Sequence, residues 1–533
     1  MRASAAAALI WLGSVGARTT LARAQEWTTG GYDAQRSSWV RTDTKISPAG
    51  IRKPGFQFLW KLQVTDESPR AHAVTPPVLL DLVISYRGFR ALGFVGAGAD
   101  HVVALDTDLG RMEWERRFAP AAPADGGEPP CAALMTPNLA RPTNAALPTV
   151  VAGYGGGRAG VPARGAVGEP GEGAVTLGSA VPRPSDAGPA PPKPSGQRPS
   201  PRPFPVVYAL SSDGLLHTLN VMNGADAEPP TPFLPPHAAA RGLIVVDEVA
   251  YVATLRGCGE APSGVWALDL GSKQVATWRS PEGIVGSPGL AMGPDGTIYV
   301  AASDGQLRSL EPRTLTPKGA HRSGGPAFTS SPVIFEHLGS LLIAASSRDG
   351  RIKLLDIHRS TFVQTPAFSQ ATAAAPGGLA SWVDADGTRW LLTGTAGPVR
   401  TGAGFAVRNG AVTHGAIVAW RIVDQAGVPT LQTGWVSRDI APPLAPAIVN
   451  GVVFAVSGGG RRPKNARRSD AEHAEGSLPA ILYALDGATG RELWSSETTM
   501  TSVGRGGLSA GGGQVYVATA TGTLYAFGFP MEH

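Results

Sequence analysis

Residues Ala484 to Trp494 read Ala-Leu-Asp-Gly-Ala-Thr-Gly-Arg-Glu-Leu-Trp. Eleven residues hold the end of an apolar strand, a turn that needs the positive φ of Gly490, and a short second strand closing on tryptophan. That is one hairpin of a small antiparallel sheet. It recurs: Ala104 to Trp114 (ALDTDLGRMEW) differs by Leu109 at the threonine position, and Ala267 to Trp278 is a copy one residue longer. Weaker versions of the small-Leu-acid tripeptide stand at Ala209-Leu210-Ser211, Ser309-Leu310-Glu311, Leu354-Leu355-Asp356, Ala419-Trp420-Arg421 and Ala526-Phe527-Gly528, which makes eight.

The uninterrupted copies at Leu268, Leu310 and Leu355 follow one another at 42 and 45 residues, the length of one four-stranded propeller blade. Blade four is the cleanest: Gly286 to Leu290 opens an inner strand, Pro294-Asp295-Gly296 turns, Thr297 to Ala301 alternates, and Ser303-Asp304-Gly305 turns into Gln306 to Leu310. Strand lead-ins such as Ala73 to Pro76, Thr329 to Pro332 and Gly504 to Gly507 are poor in bulk, as strands crowded round an axis must be. Composition agrees, since Gly 69 and Pro 47 in 533 residues, with only 16% charged, suit short strands and turns rather than long helices. The expectation is an all-β fold: an eight-bladed β-propeller of four-stranded antiparallel blades.

The motif Ala484 to Trp494 resembles the A-L-D-x-x-T-G-x-x-x-W repeat of pyrroloquinoline-quinone (PQQ) type, quinoprotein alcohol dehydrogenase-like propellers. The resemblance implies that Gly110 and Gly490 turn the chain between third and fourth strands and that Trp114, Trp278 and Trp494 pack between blades. Trp27 to Arg36 (WTTGGYDAQR), followed by Thr44-Lys45-Ile46, is similar to the tryptophan, paired-glycine and arginine start of quinoprotein dehydrogenases and their non-enzymatic relatives. In those proteins the next strand belongs to the last blade. Phe56 to Leu62 therefore becomes the missing outer strand of a blade ending at Phe527-Gly528, and the ring closes with no exposed edge.

Around this ring, residues 1–24 read as a signal peptide, with Arg2, apolar Ala5 to Val15 and a small-x-small site at Ala22 to Ala24. Residues 25–55 form an N-terminal extension and 56–533 the propeller, whose expected location is secreted or periplasmic. No other stretch approaches the ~20 apolar residues of a membrane span. Residues 155–204, almost all Gly, Ala, Pro, Arg, Val and Ser, are expected to be a disordered insertion within blade two. Residues 458–478 are a charged, self-neutralising loop. Cys131 and Cys258 admit one disulfide between neighbouring repeats or two separate buried thiols.

Chemistry is less legible. Gly507-Leu508-Ser509-Ala510-Gly511 has the G-x-S-x-G spacing of a hydrolase nucleophile but lies in an inner hairpin, and Asp384 to Gly387 starts like a calcium loop without the glutamate at position twelve. The weak ligand-facing candidates are His72, Arg241, His414 and Arg505, which fall at or near blade lead-ins where a propeller lines its channel mouth. The net charge of +5 includes arginines of the expected signal, so nucleic acid is not an expected partner. The resemblance implies two functions. One is a monomeric binding or scaffold module of the cell envelope or the extracellular space. The other is a PQQ- and calcium-dependent dehydrogenase of a small alcohol or sugar, which in the family typically has adjacent disulfide-linked cysteines. This chain has no such pair, and the binding module is the expectation.

Overall fold

The turn chemistry of the repeat sets the local structure. In a computed structural model, which describes residues 26–65, 74–85, 88–98, 100–119, 136–143, 145, 205–255, 259, 261–369, 378–458 and 478–530, the aspartate of each well-kept tripeptide folds the turn that follows it. Asp106 Oδ1 accepts from the N–H groups of Asp108 and Leu109, both at 3.0 Å, and Asp486 Oδ1 accepts from Ala488 and Thr489 at 3.2 and 3.1 Å. A side chain that satisfies two turn donors favours the turn over a continued strand. Gly110 and Gly490 then reverse the chain at φ +63° and +70°.

The described strands form eight sheets. Blade 1 comprises Val78–Ser85, Gly88–Ala97, His101–Asp106 and Arg111–Arg117, and blade 2 Asn138–Ala140, Val206–Leu210, Leu215–Asn220 and Asp226–Pro232. Blade 3 comprises Ala240–Val246, Val249–Thr254, Gly264–Asp269 and Val275–Arg279, and blade 4 Leu290–Met292, Ile298–Ala301, Gln306–Leu310 and Pro317–Arg322. Blade 5 is Val333–His337, Ser340–Ser347, Arg351–Asp356 and Thr361–Gln364, and blade 6 is Ala380–Val383, Arg389–Ala396, Gly415–Gln425 and Val428–Val436. Blade 7 is Ala447–Val449, Val452–Ser457, Ile481–Asp486 and Glu492–Ser495. Blade 8 takes Gly504–Gly511, Gln514–Thr519 and Thr523–Gly528 from the C-terminus and Gln57–Gln63 from the N-terminus, antiparallel with Gln57 opposite Gly528 and Gln63 opposite Thr523. The ring is an eight-bladed β-propeller closed by the N-terminal strand.

Two features differ from the sequence reading. Three sheets carry a fifth, parallel strand: Pro142–Thr143 beside blade 3, Val407–Arg408 on the outer edge of blade 6, and Trp39–Val40 on the inner edge of blade 7. The second repeat copy is also misplaced. Ala209-Leu210-Ser211 ends the second strand of blade 2, and the third strand ends at Thr218-Leu219-Asn220, where Asn220 Oδ1 accepts from Met222 N–H at 2.9 Å as the aspartates do elsewhere. Residues 155–204, most of the loop at 458–478, Cys131, Cys258 and the expected signal lie outside the described residues.

Blades dock through tryptophan on glycine. Trp435 of blade 6 lies across Gly490 of blade 7, where an added Cβ would sit 2.2 Å from its ring, and its Nε1 donates to the Gly487 carbonyl at 2.9 Å. Trp114 of blade 1 covers Gly224 and donates to the Val221 carbonyl of blade 2; Trp60 of blade 8 covers Gly110 and donates to the Thr107 carbonyl of blade 1. Trp494 packs edge-on against Phe56 and Phe527, and Trp278 borders the core shared by blades 3 and 4. Trp435, Trp114 and Trp60 each bury their area in a cradle that only glycine leaves open and keep their N–H satisfied.

The extension before the closing strand forms a second, inner closure. Trp27 and Thr28 carbonyls accept from Leu79 and Arg141 N–H in blades 1 and 2, and Thr29 Oγ1 donates to the Leu243 carbonyl of blade 3. Carbonyls of Ala34, Gln35, Ser37 and Ser38 then accept from Met292, Ile334, Ser381 and Ile448 in blades 4 to 7, and Asp43 Oδ2 accepts from Gly513 N–H of blade 8. Residues 27–43 thus form a girdle inside the ring that touches all eight blades in order.

Candidate functional site

Inside the girdle, Arg36 carries its charge at 3% exposure with every donor aimed at oxygen. Nε donates to Leu290 O at 2.8 Å, Nη1 to Gly30 O at 2.5 Å and Thr29 Oγ1 at 3.1 Å, and Nη2 to Gly242 O at 2.7 Å and Pro288 O at 3.2 Å. Burial lowers its pKa to about 10, with the nearby Asp33 charge working the other way, so it stays protonated at neutral pH. Arg36 therefore staples the inner strands of blades 3 and 4 to the girdle. Asp33 accepts from Ser37 N–H and Oγ and pairs with Arg41, whose guanidinium lies 4.7 Å from the Trp39 ring centre. These groups serve the ring's closure.

The channel-mouth candidates do not form one constellation among the described residues. Arg241 is half-buried in the first strand of blade 3, opposite Ala253. His72 lies outside the described residues, and Arg505 is described only by its backbone in the first strand of blade 8. His414, just before the third strand of blade 6, belongs to an organised polar cluster with Asp439 on the link to blade 7. Its Nδ1 lies 2.7 Å from Asp439 Oδ2, which also accepts from Thr413 Oγ1, while Oδ1 accepts from the backbone N–H of Thr413 and His414 at 2.9 and 2.8 Å. Burial opposes ionisation of Asp439, but these donors outweigh it and hold the carboxyl well below the usual range. Next to it, Arg438 pairs with Glu492 and lies 5.1 Å from the Tyr483 ring centre.

An imidazole oriented by a carboxylate and 68% exposed at its side chain can hydrogen-bond or transfer a proton. Thr413 Oγ1 lies 2.8 Å from His414 Nδ1 and donates to Asp439 Oδ2, whereas Ser509 of the G-x-S-x-G stretch is fully buried in the first strand of blade 8. Asp384, the start of the calcium-like stretch, spends its carboxylate on Asp386 and Thr388 N–H and on Trp390 Nε1, which is turn chemistry. No three His, Cys, Asp or Glu side chains among the described residues are placed together to hold a metal ion. Sequence reading missed Arg36 and Asp439 as organising residues; the arginine of the Trp27 to Arg36 motif was the one available signal.

The fold and the docking of indole on turn glycine define a PQQ-type repeat β-propeller. Residues 479–529, the end of blade 7 and the C-terminal strands of blade 8, match the profile of a family described as outer membrane protein assembly factor BamB. No curated protein matches the chain by sequence. Among solved structures, the chain is similar to quinohemoprotein alcohol dehydrogenase from Comamonas testosteroni, with 14% identity, a TM-score of 0.53, and coverage of 97% of this chain and 82% of that one. BamB from Moraxella catarrhalis aligns with 11% identity and a TM-score of 0.45 over 89% of this chain and 100% of that one. The dehydrogenase alignment bears on the fold alone.

Proposed function

We propose that the chain is an exported binding or scaffold propeller of the cell envelope, working as a monomer through its faces and loops. The match of residues 479–529 to the BamB profile carries this reading. The girdle supports it, because a ring fastened from inside across all eight blades is a rigid platform whose variable surface is its loops. The polar cluster of His414, Asp439, Arg438 and Glu492, where blades 6 and 7 meet, is the first contact surface to test. Function resides in such a surface and not in the repeat, which specifies only the fold.

The test is reconstitution of the full chain with PQQ and calcium, followed by dialysis, absorbance spectroscopy and alcohol-dependent dye reduction. The scaffold reading expects neither retained quinone absorbance nor turnover; saturable quinone binding with turnover overturns it. Export is checked separately by N-terminal sequencing of the mature protein, with Gln25 as the expected first residue.

A further inference from the structure

Two-residue hairpins between twisted strands need positive φ at both central residues, so glycine is the usual second member. The two-residue first hairpins of blades 5, 7 and 8 place glycine second, with Gly339, Gly451 and Gly513 at φ between +79° and +80°, and the longer turns of blades 4 and 6 also carry glycine, Gly296 and Gly387, at φ +81°. Blade 3 departs from it. Val246 pairs directly with Val249, and the two residues between them are Asp247 at φ +48° and Glu248 at φ +61°. Residues with a Cβ are strained in that region, and such strain persists where the surroundings hold it, commonly at ligand sites.

This turn borders a cavity of about 360 Å³ between blades 3 and 4, a size at the low end for small-molecule pockets. Val246, Val249 and Met292 supply apolar wall, and Asp247, Asp295 and Arg313 supply charge. Two of those charges are shared: Arg313 pairs with Asp269, and Asp295 lies 3.6 Å from Lys318 Nζ. Asp247 has no ion pair among the described residues. Tyr251, 2% exposed, accepts from Arg313 N–H at 3.2 Å, and burial pushes its pKa up, so its own proton remains to be donated.

From the strained acidic turn, the apolar wall and the unspent hydroxyl donor, we infer that the cavity between blades 3 and 4 binds a small organic cation with an apolar body. The body lies on Val246, Val249 and Met292, the cationic group pairs with Asp247, and Tyr251 donates to an acceptor on the ligand where there is one. The site is separate from the His414–Asp439 cluster, so it stands or falls independently of the scaffold reading.

The test is calorimetric titration of the full chain with 2-phenylethylamine, and with 2-phenylethanol and phenylacetate as its neutral and anionic counterparts. Saturable binding of the amine is expected, about tenfold or more tighter than that of the alcohol, which corresponds to one charge contact. Asp247→Asn tolerates the left-handed conformation and should keep the thermal midpoint while erasing the preference for the amine. No saturable amine binding, equal binding of amine and alcohol, or an unchanged preference in Asp247→Asn each overturns the inference.

Discussion

Asp81, on the first strand of blade 1, carries a cost of folding that can be removed by one substitution. Burial first, and then the charges of Asp43 on the girdle and Asp108 in the last turn of blade 1, raise its pKa from 3.8 to about 6. The surroundings do little to relieve this: Asp43 spends its oxygens on the N–H groups of Lys45, Ile46 and Gly513, and Asp108 receives only a 3.5 Å contact from Gln514 Nε2 besides the Lys45 charge. A rise of two pH units corresponds to about 3 kcal/mol. Because the folded pKa exceeds the unfolded one, the native state binds the extra proton between about pH 4 and pH 6. Stability therefore falls as pH rises through that window, and the full penalty is present at pH 7.5. Asp81→Asn keeps the shape and removes the charge, so it should stabilise the protein by about 2–3 kcal/mol at pH 7.5 and by roughly half as much at pH 5. Urea unfolding of both proteins, followed by tryptophan fluorescence at the two pH values, reads this as a difference in midpoint that shrinks on acidification. A variant no more stable than the native chain at pH 7.5, or a difference that does not change with pH, refutes the reasoning.

Asp439 should show the opposite sign: its carboxyl is held below the ordinary range, so its contribution is present above about pH 4 and lost as acid protonates it, and Asp439→Asn should flatten that acid limb of the unfolding curve. Gly490→Ala should destabilise by about 3 kcal/mol or more, since it combines left-handed strain with displacement of the fully buried Trp435, and the urea midpoint measures it. Arg36→Met leaves carbonyls of three segments without their donor and should cost about 3–5 kcal/mol in thermal unfolding. Deleting residues 56–62 exposes the third strand of blade 8 and should send the protein to the insoluble fraction, whereas deletion of 155–204 should leave a soluble protein with unchanged circular dichroism.

What was legible in the sequence was what the backbone demands locally. Asp486, Gly490 and Trp494 each answer a requirement within one hairpin or its neighbour, so the repeat, the blade and the count could be read from them. The same locality explains the misplaced copy in blade 2: asparagine folds the turn as aspartate does, and Thr218-Leu219-Asn220 resembles the small-Leu-acid pattern less than Ala209-Leu210-Ser211 in its first residue. The polar groups were not legible because their partners are remote in sequence. Arg36 meets carbonyls more than 250 residues away, and His414 is oriented by Asp439 across a whole strand pair. Nothing in the period of a strand reports such contacts.

The two closures have different consequences for how the ring holds together. A propeller in which each blade touches only its neighbours has a stability close to a sum of nearest-neighbour terms, and its blades can open one at a time. The closing strand at residues 57–63 removes the free edge but still adds only one more neighbour contact. The girdle is different in kind, because one segment of fewer than twenty residues is hydrogen-bonded to every blade. Displacing any single blade outward breaks a bond to a strand that the other seven hold in place, so local opening is coupled round the circle. The first residues made are also the last to find their full set of partners, since Asp43 Oδ2 and the backbone of Gln57–Gln63 gain their bonds to blade 8 only when residues 513–528 are in place. Contacts of that sequence separation form slowly, so closure at the N-terminal strand is the expected slow step of folding, and the acidic trio of Asp43, Asp81 and Asp108 sits at that seam.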